Sequence, residues 1–149
     1  MDNPVWSFEK TTSLTVSEIE ALLFDLQEGN FTPGNLPFIL SDRGRCNIKF
    51  IDARYVVEFI DGHKEFIEID KANHTLAMQG EWWYRGLYAL KELPEGTKVT
   101  LNVYNVAERF RWVASLMIVP DKKKHQQGFE IFVSAIEQAH IKQKYSDSR

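Results

Sequence analysis

The segment GEWWYRGLYAL, Gly80 to Leu90, sets two tryptophans, two tyrosines and an arginine between glycines. Phenols donate and accept hydrogen bonds, indoles donate, and each ring carries a large apolar body. Such a set can wall a pocket and orient a guest through its polar tips, face a partner, or fill a core. The other reactive side chains are scattered. His63, His74, His125 and His140 fall at two turns, near a helix start and on a helix face. No pair has zinc spacing and there is no CxxC, so neither a metal nor any other cofactor is expected. Cys46 has no histidine close in sequence and no helix N-terminus to activate it, and reads as an ordinary strand thiol. Walker, GxGxxG and GxSxG patterns are absent.

Several residues carry two readings. His140 lies on an apolar helical stripe, as a hydrogen-bonded packing histidine or as a general base facing a cavity. Glu58 and Glu65, read as cross-strand neighbours, either form a raised-pKa pair or repel weakly in solvent. Arg85 and Arg109 can pair with surface carboxylates or with a ligand anion. RFRW, Arg109 to Trp112, alternates cation and aromatic as nucleic-acid binders do. The net charge of −3 over 149 residues opposes that reading, and Phe110 is expected in the core.

These side chains need elements to position them. Residues 4–14 predict a strand with Trp6 and Phe8 on one face. TVSEIEALLFDLQEG predicts a helix opened by a capping box, Thr15 with Glu18 or Ser17 with Glu20. Its stripe is Val16, Ile19, Leu22, Leu23 and Leu26, and Gly29 serves as the C-terminal cap. NFTPGNLPFILSDRGR is loop with at most a helical turn. Residues 46–106 predict about six meandering strands, with turns at Asp61-Gly62, at DKANH and at ELPEGTK. ERFRWVASLMIV predicts a helix on Phe110, Val113, Ala114 and Met117, broken by Pro120. A longer helix carries Phe129, Phe132, Val133, Ile136 and His140, with Lys122, Lys123 and Lys124 near its start.

Two hairpin registers follow. A loop from Leu93 to Gly96 sets Val99 against Leu90, Leu101 against Tyr88, Val103 against Gly86 and Asn105 against Tyr84. Trp82, Tyr84 and Tyr88 then share the apolar face, Arg85 takes the other, and Gly86 admits a bend or a close approach. Pairing Ile60 with His63 sets Val57 against Phe66, Glu58 against Glu65 and Val56 against Ile67, and neither face is cleanly apolar.

The expected class is α+β. About seven antiparallel strands form a curved sheet around a long C-terminal helix, in one domain over residues 1–145 with a frayed tail at 146–149. This order resembles the helix-grip fold of the SRPBCC superfamily, which includes START lipid-transfer domains, polyketide cyclases and the birch-pollen allergen type. GEWWYRGLYALKELPEGTKVTLNVYNVA, with its W-x-G-x-Y strand, PEGT turn and V-x-L-x-V-Y strand, is similar to bacterial polyketide cyclase/dehydrase-like members. The resemblance implies an apolar cavity between sheet and helix and transfers no catalytic residue.

The expected function is to bind an apolar or aromatic small molecule, or a lipid, in that cavity. Expected lining residues are Trp82, Tyr84, Tyr88, Leu101, Phe129, Phe132 and Ile136, with Phe59 and Phe66. One alternative is a cyclase or dehydratase using Tyr84, Tyr88 or His140. Another is a protein-interaction module with Trp83 and Trp112 as surface anchors. A single cysteine, no apolar run long enough for a membrane span, and an N-terminus unlike a signal peptide predict a cytoplasmic protein. It is expected as a monomer or weak homodimer that does not bind nucleic acid.

Overall fold

The computed structural model describes residues 3–118 and 121–147, without the side chains at 115, 117, 118 and 147. The elements are β1 (Trp6–Thr12), α1 (Val16–Leu23), β2 (Gly29–Phe31), a 3₁₀ turn (Phe38–Leu40), β3 (Cys46–Ile51), β4 (Arg54–Phe59), β5 (Lys64–Asp70), β6 (Thr75–Gln79), β7 (Tyr84–Leu93), β8 (Gly96–Asn105), α2 (Arg111–Ile118) and α3 (Lys122–Asp147). The class is α+β, with one curved antiparallel sheet and a long C-terminal helix. Strand order is β1-β8-β7-β6-β5-β4-β3-β2. The sheet has eight strands where about seven were expected. The extra one is β2, the expected helix cap Gly29 and two residues of apparent loop, which pair Gly29 with Ile48 and Phe31 with Cys46.

The chain leaves β1 at one edge and re-enters the sheet at the other. α1 makes that crossing and starts with the predicted capping box. The Glu18 N–H donates to Thr15 Oγ1 at 3.1 Å, and the Thr15 N–H donates to Glu18 Oε1 at 2.9 Å. The helix is shorter than expected. It ends at Leu23 with Phe24 as its cap, and Gly29, at φ +145, opens β2 instead. Ile19, Leu22, Leu23 and Leu26 still join the core.

The β7–β8 register is the predicted one, from Tyr84 opposite Asn105 to Leu93 opposite Gly96. Tyr88, Leu90, Val99, Leu101 and Val103 are buried on the inner face. The β4–β5 register differs by one residue. The loop is Ile60–Gly62, with Gly62 at φ +88 and the Phe59 N–H donating to the His63 carbonyl. This three-residue hairpin moves every pair. Glu65 now faces Val57, Lys64 faces Glu58, and Ile67 faces Tyr55. A one-residue slip exchanges the two faces of a strand. Glu65 therefore turns inward, and Phe66 turns outward beneath the Arg54 guanidinium, 4.1 Å from its ring centre. The expected Glu58–Glu65 pair does not form.

In α3, Phe129, Val133 and Ile136 are buried at helical spacing, and the helix continues to Asp147, past the expected boundary at 145. Phe129 stacks on Phe8, and His140 Nε2 lies 2.8 Å from Glu18 Oε2 on α1. Lys122, Lys123 and Lys124 are exposed. α2 departs from expectation. Ala114 is buried, but Phe110 precedes the helix at φ +54 and is 68% exposed, so it is no part of the core. The side chain of Met117 and the break at Pro120 lie outside the described residues. Among the described residues no helix is long and apolar enough to cross a membrane.

Candidate functional site

α3 leaves an open cleft of about 760 Å³ against the sheet. Inward positions on β5, β6 and β7 form its floor through Glu65, Met78, Tyr84 and Tyr88. α3 gives one wall through Gly128, Ile131, Phe132 and Ala135. The segment Phe38–Arg43 gives the other, and His63, Glu81 and Trp82 stand at the rim. A smaller cavity of about 340 Å³ shares Tyr84, Tyr88 and Gly128 and adds Leu101, Lys124, His125 and Phe129.

Strand alternation sends Tyr84, Gly86 and Tyr88 to the same face. Of the bend and the close approach expected at Gly86, the structure shows the close approach. A Cβ there would lie 2.5 Å from the Tyr84 hydroxyl oxygen and 3.0 Å from Cζ, so the tyrosine ring lies over the bare glycine. Tyr88 packs on Phe132 with ring centres 4.8 Å apart, and Phe132 meets Phe38 at 6.3 Å. His125, at the start of α3, sits among Trp6, Tyr84 and Trp83 at 4.8, 6.0 and 6.3 Å.

Burial sets the protonation of these groups. Desolvation, helped by the charge of Glu65, pushes the Tyr84 phenol up to about 12. Burial raises Tyr88 further, with Tyr84 adding to it. Both stay protonated near neutral pH, and neither hydroxyl has a hydrogen-bond partner among the described residues. Desolvation lowers His125 below its ordinary 6.5 and raises the buried Cys46 thiol.

The polar feature of the cleft is Glu65, 8% exposed. Arg43 Nη2 donates to its Oε1 at 2.5 Å. Its Oε2 is buried and has no hydrogen-bond partner among the described residues. The Arg43 guanidinium also lies 5.4 Å from the Phe59 ring centre, with its Nε 3.7 Å from Asp42 Oδ1.

Of the expected lining residues, Trp82, Tyr84, Tyr88 and Phe132 line the larger cavity. Leu101 and Phe129 line the smaller one. Ile136 is fully packed in the core and borders neither. Phe59 stacks on His63 beside Arg43, outside both linings. Phe66 is on the opposite face of the sheet, because of the register change. His140 lies with Glu18 away from the cleft. Arg85 is on the outer face with Gln79 and Glu68, and the Arg109 carbonyl accepts the Trp82 indole N–H at 2.9 Å. Trp83 packs on the core rather than standing free. Arg43, Glu65, Met78 and Phe38, with Ile131 and Ala135 on α3, are among the lining residues that sequence reasoning missed. Counting a three-residue loop at Asp61-Gly62 finds Glu65 inward; nothing local marks the others. No cluster of three metal-ligating side chains occurs among the described residues.

Sheet, helix and cleft together define an α+β helix-grip domain with an open aromatic recess under its last helix. No family model matches the chain, and no curated protein matches it. Among solved structures it is similar to protein BH1534 of Bacillus halodurans, known from a solution structure. The TM-score is 0.51 at 11% identity, covering 92% of this chain and 98% of that one. It is also similar to the crystal structure of TTHA0849 from Thermus thermophilus, with a TM-score of 0.48 at 15% identity, covering 91% and 95%. At 11% identity the likeness to BH1534 is one of fold alone.

Proposed function

We propose that the chain binds an apolar or aromatic small molecule or lipid in the cleft under α3, as a polyketide cyclase/dehydrase-like member of the SRPBCC superfamily would. The observation that carries this is the cleft of about 760 Å³ walled by Tyr84, Tyr88 and Phe132. That volume lies within the range of small-molecule sites. Burying about 300 Å² of apolar ligand surface would contribute about 7 kcal/mol before association costs. Phenols held protonated favour orienting a guest over acid/base turnover. His140, a candidate base, sits with Glu18 outside the cleft, which favours binding over catalysis.

The test is titration with N-phenylnaphthylamine, whose fluorescence rises in apolar sites. Wild-type protein is expected to saturate, and Ala135→Trp, which fills the cleft from α3, to weaken the probe about tenfold or more. No probe binding by the wild type, or full binding by the variant at unchanged stability, sinks the proposal.

One observation favours a second reading, a protein-interaction module. Phe110, Trp112 and Leu116 are 68%, 69% and 69% exposed around α2. A pull-down depleted by Trp112→Ala and indifferent to Tyr88→Phe supports it; the reverse dependence supports the cleft.

A further inference from the structure

The cleft is apolar along Tyr88, Phe132 and Phe38, yet it contains a buried carboxylate oxygen that accepts no hydrogen bond among the described residues. Glu65 exists at this position because the Asp61-Gly62 hairpin places it inward, opposite Val57. Arg43 engages Oε1 alone, and Oε2 is left covered, with no partner among the described residues. An unsatisfied buried acceptor is a standing cost that a suitable donor removes. The terminal torsion of a glutamate is soft, so a turn of the carboxylate brings that oxygen to the cleft without moving β5. From this we infer that the ligand carries a neutral hydroxyl donor directed at Glu65, with its apolar body lying against Tyr88 and Phe132. The inference rests on the binding role proposed above and specifies its ligand class.

The charges select among donors. Arg43 already balances Glu65, so the buried pair presents no net charge to draw in an ion, and the other carboxylates of the lining, Asp42 and Glu81, are solvent-exposed and screened. A ligand carboxylate would be set beside Oε2 and repelled. A ligand ammonium would have to shed its water next to the Arg43 guanidinium. A hydroxyl loses the least on desolvation and satisfies the oxygen.

Three ligands of one shape decide the matter: biphenyl, para-phenylphenol and para-phenylbenzoate, each displacing N-phenylnaphthylamine near neutral pH. The phenol is expected to bind about tenfold tighter than biphenyl, and the benzoate weaker than the phenol. Glu65→Leu should bring phenol and biphenyl to equal affinity on the same variant, whatever its effect on biphenyl itself. Glu65→Gln keeps an acceptor and retains part of the preference, which covers any folding loss in the leucine variant. Equal binding of phenol and biphenyl by the wild type overturns the inference and leaves the cleft standing. So does a preference for the benzoate, which would make Arg43 the anchor, or a phenol preference that survives loss of Glu65. Failure of all three ligands and of the probe removes the binding role itself.

Discussion

Single residues set the shape of the recess. Gly86 is a clear case, since the Tyr84 ring occupies the space its side chain would take. The group met is the far end of a side chain, so a methyl there displaces the ring instead of breaking the strand. Gly86→Ala is expected to cost about 1–3 kcal/mol of stability and to weaken N-phenylnaphthylamine, read by denaturation and by titration on the same protein. Unchanged probe affinity would show that Tyr84 does not shape the site. His125 supplies a pH signature. Desolvation among Trp6, Trp83 and Tyr84 lowers its folded pKa below the ordinary 6.5, opposed by Asp121 and assisted by Lys124. Between the folded value and 6.5 the unfolded chain binds more protons, so stability rises with pH there. The contribution of neutral His125 is complete above 6.5 and is lost as pH falls through that window. His125→Phe keeps a ring and removes the proton site, so its melting temperature should fall less on acidification than that of the wild type. Identical slopes would end the argument.

At the scale of elements, turns decide what the strands present. The PEGT turn joins β7 to β8 and also receives the end of β1. Gly96 has φ +150, and a Cβ there would lie 2.0 Å from the Thr12 carbonyl oxygen. The neighbour is backbone and cannot step aside, and Thr97 Oγ1 fixes the same corner by donating to the Leu14 carbonyl at 2.7 Å. Gly96→Ala should therefore cost about 3 kcal/mol or more, whereas Gly128→Ala, on α3 with no atom within 4 Å of the new methyl, should gain a few tenths up to about 1 kcal/mol. Equal effects in chemical denaturation would contradict the two environments. The same contrast explains what was legible in the sequence. The β7–β8 register could be read because Tyr88, Leu90, Val99, Leu101 and Val103 alternate cleanly, which opposes a one-residue slip, and the turn from Leu93 to Gly96 then sets the pairs. The β4–β5 register was misread because its apolar pattern is mixed, leaving the loop length to decide, and Asp-Gly is compatible with two lengths. The β3–β4 turn at Asp52-Ala53, with φ of +53 and +64 at non-glycine residues, carries no glycine to mark it. β2 escaped notice because its pairing with β3 is a tertiary event with no periodicity of its own. Phe110 looked like core because it has the spacing of α2, but the helix begins one residue after it.

For the whole molecule, the order strand, helix, meander, long helix was enough to place α3 across the sheet, because each element has one apolar face and few arrangements cover all of them. The recess was not legible in that order. A void is a difference between large packed volumes, and a shift of α3 by the width of one side chain would close it. What keeps it open is where α3 is held. Phe129, Val133 and Ile136 seat the helix on the core and His140 ties its later turns to α1, while Ile131 and Ala135 between them overlook the cleft. A guest would complete the contact that these turns lack. Ligand that binds only the folded state stabilises it by about 2.7 kcal/mol at a hundredfold excess over Kd. For a chain of this length that is a rise of roughly 5–10 °C in melting temperature. Amide exchange locates the gain. Residues Gly128 to Ala135, together with Phe38 to Arg43 on the facing wall, should gain protection with N-phenylnaphthylamine bound. The β1–β8 end near Thr97 and Gly96, remote from the cleft lining, should keep its rates relative to global unfolding. Protection spread evenly over the sheet would mean that the probe stabilises the fold from elsewhere. Protection confined to α2 around Trp112 would place it on the exposed patch and favour the partner surface over the recess.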